Sequence, residues 1–381
     1  VHNAEVVANS LKADASLVAE AVAAARVGLV DRELIAEVVV LCAVAGEHLL
    51  VIGAPGTAKS EAVRRIASQL GGQYFEYLLG RFTEPNEIFG PIDLRRLREG
   101  IVEVETAGML PEADVAFLDE VFLGSSAILN TLLGVLNERV FRRGSTLINV
   151  PLRVCVGAAN SLPEDHTLAA FADRFLARLF IEPVGDARLE ELLEAGSSIR
   201  QPPATTPALA SIDRLALASK TTSLDAVRPH IGTAVRRMRA AGIEITDRRA
   251  VRAQRLVAAA ATLDARTTAS DADLWVLPLI APTADTQQLA RECLGDLLER
   301  TRNATLTYSA EELSRGPLAR AQRLAATGAA LLNELGEPPL NRDTRLRVEA
   351  TLREIDASFA QADLPDALAD VRQGLVASIE P

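Results

Sequence analysis

The sequence is sparing with the residue types that announce a function by themselves. It has 3 cysteines, Cys42, Cys155 and Cys293, far apart and without C-x-x-C spacing. That pattern disfavours a disulfide framework or a zinc–thiolate site, and a reducing cytoplasm fits it best. The 4 histidines, His2, His48, His166 and His230, are equally scattered, so no metal cluster is expected. No apolar run approaches the roughly 18–20 residues that cross a bilayer. The opening "VHNAEVVANSLKADASL" has no basic flank before an apolar stretch. Neither membrane insertion nor a secretory leader is expected. Aromatic residues make up 4% of the chain, and 40 basic against 51 acidic residues leave a net charge of −11. A dedicated duplex-DNA binder needs a basic surface, so nucleic acid is not the expected partner. Lysine is scarce too, at positions 12, 59 and 220 alone, while the other cations are arginine. A lysine kept at 59 implies a task for a compact ammonium on a flexible stem.

What is present is a folded chain, 49% hydrophobic and 24% charged over 381 residues. That length suggests about two or three domains. Residues 14–45 carry helical spacing and predict two amphipathic helices. "EHLLVIG", "QYFEYLL", "DVAFLDEV", "LRVCVGAAN" and "ARLFIEPV" are short apolar runs of the kind that form buried parallel strands. "GIVEVET" alternates and predicts a further strand with one wet face, and "FRRGSTLINV" predicts a hairpin around Gly144. Strands alternating with helices predict an α/β fold with a mostly parallel five-stranded sheet covered on both faces. Beyond about residue 185 the periods are helical, interrupted by the Pro/Thr-rich "SSIRQPPATTPALA". The expected organisation is an N-terminal helical segment (1–30), an αβα core (31–185), a helical lid (186–284) and a helical C-terminal region (285–381).

The chemistry centres on "VIGAPGTAKSE", Val51 to Glu61, where a strand turns into a helix. Such a turn offers backbone N–H groups and a positive helix end to an anion. Gly53 and Gly56 let the chain bend around phosphate oxygens, with Ala54, Pro55, Thr57 and Ala58 completing the loop. Lys59 would reach the β- and γ-phosphates and the Ser60 hydroxyl would help hold Mg²⁺. The phosphate-loop signature expects glycine at 58. Alanine there is harmless if the residue has ordinary helical dihedrals. The plainer reading of the segment is a helix-capping turn.

Sixty residues on, "VAFLDEVF" ends an apolar strand in two carboxylates. Asp119 could hold Mg²⁺ through water and Glu120 could polarise an attacking water. "VGAAN" puts Asn160 at the end of another strand. "FADRFLARLF" offers Arg174 and Arg178 on one helical face, either as a basic surface pairing with Asp173 and Glu182 or as arginines presented to a neighbour's nucleotide. "ITDRRAVRAQRL" reads as a helix capped by Thr246 or Asp247, with Arg248 or Arg249 in its first turn.

"GAPGTAKS", "GRFTEPNEIFGPID", "GMLPEADVAFLDEVFLGSSAILNTLLGVLNERVFRRG", "VGAANSLPE" and "FADRFLARL" together resemble the AAA+ ATPases of the MoxR group, especially the RavA-like branch. There, alanine before the loop lysine is usual. The resemblance covers roughly residues 10–280. It implies Lys59 and Ser60 as Walker A, Asp119 and Glu120 as Walker B, and Asn160 as sensor 1. It also implies Arg174 (or Arg178) as a trans-acting arginine finger and Arg248 as sensor 2. It further implies ATP and Mg²⁺, a homo-hexamer whose pore is lined by "RRLREGIVEVETAGML" and the hairpin "ERVFRRGSTLINVP", a VWA-domain partner and remodelling of a protein substrate. RavA's β-rich C-terminal insertion has no counterpart here. The other function classes are a helicase- or clamp-loader-type motor and a nucleotide-gated scaffold with little turnover.

Overall fold

In the computed structural model, residues 2–197, 207–315, 317–334, 342–359 and 364–379 are described. Most of the Pro/Thr-rich connection lies outside them. Among the described residues seven strands are formed: β1 (Leu49–Gly53), β2 (Tyr74–Leu78), β3 (Val115–Asp119), β4 (Val140–Arg143), β5 (Thr146–Asn149), β6 (Val154–Ala159) and β7 (Ala177–Ile181). Five of them make one sheet in the order β2-β3-β6-β1-β7, with every pairing parallel. β4 and β5 pair antiparallel around Gly144, as the hairpin pattern predicts. "GIVEVET" is not a strand: only Val104 bridges, to Ile92. Its alternation is spent on that one bridge and on a bond from the Val104 amide to Thr146 Oγ1 (2.8 Å) on the hairpin.

The core helices are α1 (His2–Arg26), α2 (Glu33–Ala45), α3 (Lys59–Leu70), the short α4 (Pro85–Phe89) and α5 (Leu94–Arg98), α6 (Ser126–Glu138) and α7 (His166–Ala172). Alternation along the strands sorts the core into two layers. Leu49 and Val51, Val115 and Phe117, and Val154 and Val156 face α1–α3. Leu50 and Ile52, Ala116 and Leu118, and Cys155 and Ala159 face α6 and the hairpin.

α8 (Leu189–Ser197), α9 (Leu209–Ser219), α10 (Arg228–Ala240) and α11 (Asp247–Leu263) follow, then α12 (Ala284–Cys293), α13 (Gly295–Leu298) and α14 (Thr307–Arg315). α9 and α11 lie against α2, with α14 alongside. That explains a departure from expectation: α2 is not amphipathic but buried on every side from Ile35 to Ala45, between the sheet and the helices α9 and α11. Ala290, Leu294, Leu306 and Ala310 join this same apolar cluster. A separate small core is formed by α15 (Pro317–Glu334), α16 (Arg342–Ser358) and α17 (Asp366–Ile379), around Leu324, Val348, Ile355, Leu368 and Leu375. Among the described residues, no helix is long and apolar enough to cross a membrane.

Candidate nucleotide site

The turn after β1 is shaped by close backbone packing. A Cβ on Gly53 would stand 2.5 Å from the Ile181 carbonyl oxygen of β7, so only glycine lets the two strands run together there. Gly56 has φ +78, in the left-handed region that glycine enters freely. Ala58 does not have the helical dihedrals expected of it. It is left-handed, φ 55 and ψ 28, at the N-cap of α3. A methyl there costs about 1–2 kcal/mol, which is why glycine is the usual residue and why this loop carries strain.

Lys59 is 7% exposed. Its Nζ donates to the Gly53 and Ala54 carbonyls at 2.6 and 3.0 Å. Burial holds its ammonium below the ordinary lysine range, and the Asp119 and Glu120 carboxylates pull the other way. Thr57 Oγ1 donates to the Ala54 carbonyl at 2.8 Å. Ser60 is half-buried in the first turn of α3, and beyond it Glu61 is engaged by Arg64 and Arg65. Ala54, Pro55, Gly56 and Ala58 are exposed.

Asp119 ends β3 and Glu120 directly follows it, and Asn160 follows β6. Because the strands are parallel, these ends and the loop after β1 share one edge of the sheet: Ile52 is level with Ala159, and Leu118 with Gly157. Glu120 is itself left-handed, φ 50 and ψ 44. Its Oε1 accepts a bond from Asn160 Nδ2 at 2.5 Å. Sparse backbone conformations cluster where chemistry needs a side chain aimed. An oxygen-rich pair such as the Ser60 hydroxyl and the Asp119 carboxylate suits a hard cation like Mg²⁺. The exposed, glycine-bent turn beside a buried ammonium suits a polyphosphate.

The arginines lie elsewhere. Arg174 precedes β7, whose first residue Ala177 is level with Leu49 at the start of β1. A five-residue strand is roughly 16 Å long, so Arg174 sits at the edge opposite the loop. Arg178 does not share a helical face with it. Arg178 is in β7, 7% exposed, with Nη1 on the Pro282 carbonyl at 2.6 Å. The helix stops at Ala172, and the rest of the motif turns into the sheet. Burial, reinforced by Arg249, brings the Arg178 guanidinium down to about 10. Thr246 caps α11, its Oγ1 accepting the Arg249 amide at 3.2 Å. Arg248 reaches Asn137 Oδ1 at 2.9 Å, at the far end of α6. Lys59 and Arg248 of one chain are therefore not brought together.

Sequence reasoning missed Arg32. It is 4% exposed, with Nε on the Thr57 carbonyl at 2.5 Å and Nη2 on the Glu182 carbonyl at 2.8 Å. It ties the loop to the end of β7. In "VDRELIAEVV" it looks like one charge among three before an apolar helix, and nothing local marks it as buried.

A family model described as the MoxR domain in the MoxR-vWA-beta-propeller ternary systems matches residues 16–219, more than half of the chain. The chain belongs to the MoxR family of AAA+ ATPases. Two uncharacterized proteins of Methanocaldococcus jannaschii, MJ0079 and MJ0812, are each 35% identical over 235 residues. The match takes in 61% of this MoxR chain, and 61% and 62% of theirs. The chain thus spans about three-fifths of the length of these relatives. Structural protein ORF618 of Acidianus two-tailed virus is 33% identical over 149 residues, 38% of this chain and 24% of its own. A crystal structure of a presumed ATPase from Cytophaga hutchinsonii shares the fold. Its TM-score is 0.64 at 14% identity, over 80% of this chain and 100% of that one.

Proposed function

We infer that this MoxR chain binds and hydrolyses ATP with Mg²⁺. What supports the reading is the convergence of Lys59, Asp119, Glu120 and Asn160 on the glycine-bent turn. Backbone N–H groups of residues 54–60 would cradle the phosphates, and Lys59 would exchange its two carbonyl partners for phosphate oxygens. Ser60 and Asp119 would hold the Mg²⁺, which when bound neutralises charge developing on the phosphoryl oxygens. Glu120, aimed by Asn160, takes the proton of the attacking water as the bond from the γ-phosphorus to the ADP oxygen breaks. Arg174 and Arg248, at the opposite edge, would serve the nucleotide of a neighbouring copy in a hexameric ring.

We place the chain in the RavA-like branch, as a cytoplasmic remodeller of protein partners working with a VWA-domain protein. The family's description in MoxR-vWA systems supports that partner. Exposed Leu97 and Val102, within "RRLREGIVEVETAGML", and Leu147, on the hairpin, suit contact with a protein. The net charge of −11 favours proteins over nucleic acid.

Titration of the full chain with a fluorescent ATP analogue tests the central reading. Lys59→Ala should weaken binding by on the order of a hundredfold, the loss of a buried charge-assisted contact. Equal affinity in the variant and the parent would overturn the loop assignment.

A further inference from the structure

The turn that carries Arg174 is gripped from the lid. Its successive carbonyls all accept bonds from two arginines of α11. Arg252 Nη1 and Nη2 each lie 3.5 Å from the Arg174 carbonyl. Arg249 Nη1 reaches the Phe175 carbonyl at 3.4 Å and Nη2 the Leu176 carbonyl at 2.7 Å. Arg249 also donates to Asp173 Oδ1 at 2.8 Å and, through Nε, to the Ile280 carbonyl at 2.9 Å. Arg252 is itself anchored. Glu47, fully buried, accepts its Nε at 3.0 Å and its Nη2, and takes Arg255 Nη1 at 3.1 Å. The Arg174 side chain is the opposite case: its Nε is buried and has no hydrogen-bond partner among the described residues. The main chain of this turn is fixed, while the Arg174 Nε is left unpaired among the described residues. A planar guanidinium grips carbonyls in fixed directions, which a lysine cannot do.

We propose that Arg249 and Arg252 are positioning residues for Arg174, so that the tilt of the lid in one subunit sets hydrolysis at the nucleotide of the next. The proposal rests on the reading of Arg174 as acting on a neighbouring copy. It goes beyond that reading by naming what aims the residue and which element's motion is transmitted.

The test measures ATP turnover and nucleotide affinity of the assembled full chain for Arg174→Ala, Arg252→Gln, Arg249→Lys and the double variant Arg174→Ala/Arg252→Gln. Arg252→Gln should lower kcat by about tenfold with KM and Kd unchanged, the signature of an interaction made only in the transition state. The double variant should turn over no more slowly than Arg174→Ala alone, because Arg252 acts only through Arg174. Arg249→Lys should fall between parent and Arg174→Ala. Arg249 is 3% exposed, and if that variant does not fold, Arg252→Gln carries the test at 14% side-chain exposure, with melting followed in parallel. Multiplying losses in the double variant, or full kcat in Arg252→Gln beside a slow Arg174→Ala, overturn the proposal. Full kcat in Arg174→Ala overturns instead the assignment of Arg174 itself.

Discussion

Asn160 Nδ2 donates to Glu120 Oε1 at 2.5 Å, joining two residues forty positions apart at the ends of neighbouring strands. Glu120 sits in a left-handed backbone conformation that glutamate rarely adopts. The strain has a use: it turns the carboxylate from the axis of β3 toward the amide that follows β6. In the proposed hydrolysis the two side chains would act as one device, the acid accepting a proton and the amide fixing which oxygen faces the water.

Glu120→Gln should therefore retain ATP binding while kcat falls by roughly 10²–10⁴, the range of a lost general base. Asn160→Ala should lower kcat by about tenfold or more with little change in affinity, since it misaims the base without removing it. Single-turnover assays beside equilibrium titration check both. Undiminished turnover in Glu120→Gln would remove the glutamate from the reaction.

Ala58 gives a prediction in the stabilising direction. Glycine would relieve about 1–2 kcal/mol of left-handed strain and lose about 0.5–1 kcal/mol through a freer unfolded chain. Ala58→Gly should raise the melting temperature by roughly 1–3 °C and keep ATP affinity. Ala58→Val, β-branched at φ 55, should be less stable than the parent. A lower melting temperature for Ala58→Gly would contradict the conformation described.

The five sheet strands, the hairpin and the residues at the strand ends were legible because each rests on a local pattern: an apolar run, a turn and a polar residue where the run stops. "GIVEVET" misled because alternation makes a strand only where a partner runs alongside for several residues, and here the pairing is confined to the Ile92–Val104 bridge, with the Asp93 amide on the Glu103 carbonyl at 2.8 Å and the Glu105 amide on the Pro91 carbonyl at 2.9 Å. Arg178 was misplaced because helical spacing in "FADRFLARLF" continues past the point where the chain enters the sheet. The carbonyl contacts of Arg32, Arg249 and Arg252 were illegible for a common reason. Each is an arginine with backbone carbonyls far along the chain among its partners, and carbonyls leave no trace in a sequence.

Arg32 braces the loop through the Thr57 carbonyl and ties it to the Glu182 carbonyl. Removing its guanidinium leaves the buried Thr57 carbonyl short of a charge-assisted partner, at about 1–3 kcal/mol, and cuts the tie to the more open Glu182 carbonyl. Arg32→Met, close in volume, should be less stable by about 1–3 kcal/mol in denaturant unfolding and should bind ATP roughly tenfold more weakly. Arg32→Lys should recover little, because one ammonium cannot span the two carbonyls. Parent-like affinity in Arg32→Met would mean that the loop holds its shape unaided.

His48 makes the stability depend on pH. It is 1% exposed, its Nδ1 accepts the Cys155 amide at 3.0 Å, and its Nε2 lies 3.0 Å from the Leu136 carbonyl. Burial and the neighbouring Arg139 cation, with Arg252 adding to them, hold its pKa well below the ordinary histidine value. The native ring thus stays neutral where the unfolded chain takes up a proton. The unfolded state binds more protons below about pH 6.5, so stability rises with pH there and is fully present above it. On acidification from pH 6.5 to 5 this group alone should cost about 1.5 kcal/mol, at up to 1.4 kcal/mol per pH unit once the unfolded histidine is charged. His48→Asn can still accept the Cys155 amide but cannot titrate. It should be less stable than the parent at pH 7.5, and the gap should narrow steadily toward pH 5 in denaturant unfolding. Parallel curves for the two proteins would mean that the native ring takes up its proton as readily as the unfolded one.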